Sequence, residues 1–166
     1  MDSNKLNICT VTLGTDAKIV NENLIEFNKL YNDVKLYIVC PKRDVDIFKE
    51  SLIEKNYEII TEDELIEFKD FKNIFEESSK DLEYKEEFGN RLQWYYALFL
   101  KFFFIHRFFE NNGSKIVIWE GDSVILKKIQ FFKNDSSLLY VWVHYYHDIF
   151  YKTCKEMLGS LPKYYG

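Results

Sequence analysis

Residues 6–40 read LNICTVTLGTDAKIVNENLIEFNKLYNDVKLYIVC. The opening run, Leu6 to Leu13, is apolar and rich in β-branched residues, as a strand requires. It stops at Gly14-Thr15-Asp16, a turn and helix-start signal. From 17 to 31, Ile19, Leu24, Phe27 and Leu30 fall close to helical spacing. Val34 to Cys40 reads as a second strand, closed by Pro41. A strand, a helix and a second strand of these lengths make a βαβ unit, and βαβ units build parallel sheets.

Working outward, the alternation continues. Asp44 to Lys55 reads as a helix with Val45, Phe48, Leu52 and Ile53 on one face, and Tyr57 to Thr61 as a short third strand. Residues 62–88 are the most charged part of the chain and read as solvated helix and loop. Arg91 to Asn111 is a long helical run, apolar nearly all round, which predicts a buried helix. Lys115 to Trp119 is a strand without polar alternation, as expected in a sheet covered on both faces. Val124 to Ile129 reads as extended, Leu138 to Val143 as a strand, and about Asp148 to Leu158 as a helix. No internal repeat, linker or low-complexity tract interrupts the series, so residues 1–166 read as a single domain.

Composition narrows the function. The 166 residues carry 22 basic and 27 acidic side chains, net -5, against a nucleic-acid binder with a basic face. Hydrophobic residues are 47%, against disorder, and aromatics reach 18%. Cys9, Cys40 and Cys154 are widely spaced without a CxxC pair, which argues against a disulfide scaffold or zinc module and for a reducing, cytoplasmic setting. The N-terminal stretch lacks the pattern of a signal peptide, and no apolar run is long enough for a transmembrane span. The helix around Phe102 to Phe109 leaves peripheral membrane contact as a rival reading, although its cations are only Lys101, His106 and Arg107.

In open α/β sheets, ligands bind beyond the carboxyl ends of the strands. Glu120-Gly121-Asp122-Ser123 follows the strand at 115–119. Residues two apart in an extended segment face the same side, so both carboxylates can address one point. Hard divalent cations use one or two carboxylates plus substrate phosphates. By itself the spacing is also that of a turn. Lys101, in an apolar helix, either snorkels to solvent or meets an anion.

Arg91 to about Leu158 resembles a glycosyltransferase-like family of bacterial and viral proteins designated DUF6492. Its pattern is a helix with a Gly-Trp-Tyr-x-Gln-Gln-x-x-Lys run, a strand ending in Asp-x-Asp-Thr, and a His-x-Pro-Tyr-Phe segment. Here the helix reads Gln93-Trp94-Tyr95-Tyr96-Ala97-Leu98-Phe99-Leu100-Lys101, the strand end IVIWEGDSVIL, and the third segment Tyr146-His147-Asp148-Ile149-Phe150-Tyr151. The resemblance implies a GT-A-like three-layer α/β sandwich with a mostly parallel sheet, in a copy truncated at its C-terminus. It implies a metal-dependent glycosyltransferase of polysaccharide biosynthesis, moving sugar from a nucleotide-diphosphate donor to a glycan or other hydroxyl acceptor. Asp122 and Glu120 match the two acids of the motif and, with His147, are the implied ligands of Mn²⁺ or Mg²⁺. Thr12, Asp16, Trp94, Lys101 and Glu120 are the implied donor-binding residues. Glu120 replaces the motif's first Asp, Ala97-Leu98 its Gln pair, and Ile149 its proline. The runner-up is therefore an inactive or truncated GT-A-like binding module.

Overall fold

The computed structural model describes residues 5–78, 91–112, 115–133 and 136–137. They fall into two compact units, one ending at Ile129 and one beginning at Gln130. In the second, β5 (Phe132–Lys133) and β6 (Ser136–Ser137) pair antiparallel.

The first unit is a three-layer α/β sandwich. Its elements run β1 (Leu6–Val11), α1 (Ala17–Leu30), β2 (Val34–Cys40), α2 (Val45–Ser51), β3 (Tyr57–Thr61), α3 (Glu62–Leu65), α4 (Phe68–Ser78), α5 (Leu92–Asn112) and β4 (Ile116–Ile118). Four strands pair in the order β3-β2-β1-β4, all parallel. Cys9 lies opposite Tyr37 on one side and Ile118 on the other. Residues 6–10 are buried throughout. That is why this strand shows no polar alternation: it is covered on both faces.

Alternation along the strands divides the core. Cys9, Val39 and Ile60 face α4 and α5, where Phe71, Tyr96, Leu100, Phe104 and Phe108 meet them. The four helical contacts at 96, 100, 104 and 108 recur every fourth residue, one stripe of α5. Tyr37 sits between Phe104 and Phe108, ring centroids 5.3 and 5.5 Å away. The other face carries Ile8, Leu36 and Ile38, with buried Val20, Leu24 and Phe27 of α1 and Phe48 of α2.

Two expectations change. The helix expected over 44–55 is a turn at 42–44 followed by the seven residues of α2. Leu52 becomes extended, and the Ile53 N–H donates to Asn21 Oδ1 at 3.0 Å, outside any helix. Along residues 124–129, side chains of Asn23 in α1 and of Tyr31 just past its end bond backbone groups. The long helix is not buried all round: Trp94 is 61% and Phe102 60% exposed. One stripe is enough to anchor a helix to a sheet. Among the described residues, no helix is long and apolar enough to cross a membrane. The strand and helix expected at 138–158 lie outside the described residues.

Candidate functional site

The strand order determines where a site can form. The chain builds β1, β2 and β3 outward in one direction, then returns to lay β4 on the far side of β1. The order reverses between β1 and β4, and such reversal points open a crevice at the carboxyl ends of the strands. A cleft of about 600 Å³ lies there. Thr12 and Asp16 reach it from the end of β1, Arg43 from β2, Glu62 from β3, and Glu120 and Asp122 from β4. Gln93, Tyr96 and Ala97 of α5 close one wall.

The β1 end is held tightly. The Thr12 hydroxyl donates to Asp16 Oδ2 at 2.7 Å, which fixes that carboxylate at the start of α1. Asp44, buried, accepts the Gly14 N–H at 2.9 Å and ties this turn to the end of β2. Gly121 then crosses directly over Thr12. A Cβ at 121 would lie 2.6 Å from Thr12 Cβ and 3.2 Å from Thr10 Oγ1. Glycine is needed here for close approach of two backbone segments.

The β4 end is gripped from both sides. Lys101, 16% exposed, places its ammonium 2.5 Å from Glu120 Oε1. Of the two alternatives for this lysine, it meets an anion. Asn23 of α1, buried, donates from Nδ2 to Ser123 O at 2.5 Å and accepts the Ile125 N–H on Oδ1 at 3.0 Å. Trp119 Nε1 donates to the same Ser123 carbonyl at 3.0 Å. Asp122 lies between these ties, exposed, with Ser123 Oγ 3.5 Å from Oδ1.

Burial sets the electrostatics of the far wall. It pushes the Glu62 carboxyl above its usual range; Arg43 opposes this, while Asp44 and Asp63 add to it. The Tyr96 phenol is pushed up to about 12, by burial and then by Glu62, Asp63 and Glu67. It stays a neutral donor, bonded to Ile66 O at 2.7 Å. Cys40 is likewise pushed up to about 12 by burial, with Asp44 and Glu62 adding. Burial raises the Cys9 thiol further, against the pull of Lys101. Thiols so raised are core filler and not nucleophiles.

The sequence-expected residues divide clearly. Thr12, Asp16, Glu120 and Asp122 line one cleft, and Lys101 reaches it through Glu120. Trp94 does not line it. Gln93, Ala97 and Lys101, at four-residue spacing, face the cleft side of α5; Trp94 is rotated off that stripe. His147 lies outside the described residues. Arg43, Glu62, Gln93 and Tyr96 are cleft residues that the sequence reading did not single out.

The donor set is hard oxygen: Asp16, Glu120 and Asp122 in one cleft. Among the described residues, no group of three or more metal-ligating side chains is already gathered. These residues fit a divalent cation shared with ligand phosphates, the usual arrangement for Mg²⁺, rather than one caged by protein alone. No family model, no curated protein and no solved structure matches this chain.

Proposed function

We propose that this protein is a metal-dependent glycosyltransferase that takes its sugar from a nucleotide-diphosphate donor bound in the cleft. One observation carries the reading: the crevice at the strand-order reversal draws acidic groups from both β1 and β4. Asp16, Glu62, Glu120 and Asp122 face it, against Arg43. Such a cleft repels a bare polyanion and accepts one that arrives with a divalent cation.

Asp122 and Glu120 are the residues that would hold the cation. When bound, it supplies charge stabilisation to the departing diphosphate. Lys101 neutralises Glu120 and keeps its carboxylate from swinging into the wall of the cleft. Asp16, oriented by Thr12, is an acceptor for sugar or ribose hydroxyls. Arg43 presents a planar fork of N–H donors at the opposite rim. The aromatic ring of Tyr96 and the methyl of Ala97 shield that wall from water.

The Lys101–Glu120 pair also favours a second reading, a module that binds the nucleotide without turnover, because one of the two acids already has its counter-ion. Calorimetric titration of UDP and of GDP, with and without Mn²⁺, tests the site itself. The expected result is binding that needs the metal and is lost in Asp122→Ala. Absence of binding to either nucleotide in folded protein overturns both readings. Binding without hydrolysis or transfer of any sugar nucleotide selects the second.

A further inference from the structure

Asn23 and Phe27 stand four residues apart on one stripe of α1, and Tyr31 follows in extended backbone just past the end of the helix. All three meet the segment that follows β4. Asn23 bonds Ser123 O and Ile125 N–H. Phe27 meets the Trp119 ring edge-on at 5.3 Å and 85°. Tyr31 Oη donates to Ile129 O and accepts the Ile129 N–H, both at 2.8 Å. Residues 119–129 are thus laid along α1, their backbone bonded by the side chains of Asn23 and Tyr31.

We infer that Asn23 is a positioning residue for the cation-binding carboxylate Asp122. Three facts support this. Its two bonds fall on the residue after Asp122 and on the one two further along. Asn23 is 4% exposed, so its amide has little water to turn to. Asp122 makes no strong contact of its own among those described, its nearest partner being the adjoining Ser123 hydroxyl at 3.5 Å. The direction of the Asp122 carboxylate therefore depends on the backbone on either side. Gly121 packed on Thr12 fixes the near side, and Asn23 fixes the far side. The inference rests on the proposed reading of the cleft, and it adds the residue that sets the geometry of the metal.

The test compares Asn23→Ala and Asn23→Asp with Asn56→Ala. Asn56 is a similar clamp, bonded to Asn28 and to Val34 O at the opposite end of the strands. The readout is the increment in UDP affinity produced by Mn²⁺, measured by calorimetry beside the melting temperature. Groups that hold metal ligands in place typically contribute about 10–100-fold in metal affinity. Asn23→Ala is expected to lose at least about 10-fold of the increment. Asn23→Asp keeps the acceptor for Ile125 N–H but sets a carboxylate against Ser123 O and is expected to lose the increment too, with the melting temperature showing that each variant is folded. Asn56→Ala is expected to lower the melting temperature and leave the increment within about twofold, since its site lies away from the metal. If the increment survives in both Asn23 variants, or falls equally in Asn56→Ala, the inference is overturned and the reading of the cleft stands. If the unaltered protein shows no metal-dependent binding, the reading falls and the inference with it.

Discussion

The two long helices, α1 and α5, cover opposite faces of one sheet and both reach the segment after β4. They do so by different chemistry. From α5 comes one charge, Lys101 on Glu120, amid a stripe of aromatic contacts. From Asn23 of α1 and Tyr31 just past its end come directional bonds to backbone, at Ser123, Ile125 and Ile129. The ion pair joins two flexible side chains, and half of it is open to water: Glu120 is 59% exposed. The amide bonds lie in or beside the core. The two helices divide the labour: α1 sets where the acidic turn lies, and α5 sets the charge around it.

Core substitutions probe that division most strongly. Phe27→Ala and Phe104→Ala each remove a ring that is almost wholly buried, and each is expected to cost about 3–5 kcal/mol in denaturant unfolding. If α1 sets the turn, Phe27→Ala also alters the fluorescence of Trp119, which its ring edge touches; Phe104→Ala leaves that signal near its native value. Equal spectral changes would erase the distinction.

Gly121→Ala comes next. Its Cβ would lie 2.6 Å from Thr12 Cβ, so β1 and the turn must separate, at about 1–3 kcal/mol. Metal-dependent nucleotide binding should fall with it, read by calorimetry. A neutral Gly121→Ala would show that the crossing of these two segments is loose.

Lys101→Met separates charge from position. The partly exposed pair is worth about 1 kcal/mol, so stability should change little. Freed of its counter-ion, Glu120 should bind Mn²⁺ alone about fivefold more tightly, the equivalent of that energy. Weaker binding of the Mn²⁺–UDP complex would instead put the ammonium against phosphate oxygens.

The smallest effect belongs to Glu62. A carboxyl raised by burial holds its proton more tightly in the folded than in the unfolded chain. Stability therefore falls as pH rises from the ordinary glutamate value through the raised one, and stays lower above it. Glu62→Gln removes the deficit: its melting temperature should exceed the parent's at about pH 7 and converge with it at about pH 3, below both values. A constant difference across that range would mean that Glu62 is paired and not merely buried.

The strands were legible because a sheet covered on both faces writes continuous apolar runs, and the structure places their bounds within two residues of the reading. Helix α5 was legible in extent, but its outer face was not: composition registers Phe102 and Phe104 alike, and only packing against Tyr37 tells them apart. Residues 124–129 read as extended, but what holds them was not legible. Their backbone partners, Asn23 and Tyr31, are about 100 residues away, and no local pattern carries such a bond. That Glu120 and Asp122 lie at the candidate site was legible from their place after a strand. Arg43 and Glu62 were not. They stand in charged runs without telling spacing, and only the register that sets Cys40 beside Thr61 brings the ends of β2 and β3 to one rim.

The central claim is a location: a cation and a nucleotide diphosphate held together at the β1–β4 crossing. Paramagnetic broadening of amide resonances by Mn²⁺ in the presence of UDP reads that location directly. Broadening is expected to centre on Thr12, Gly121, Asp122 and Ser123, to depend on the nucleotide and to vanish in Asp122→Ala. Broadening centred instead on the acidic first turn of α3, or unchanged by the nucleotide and by Asp122→Ala, would contradict it.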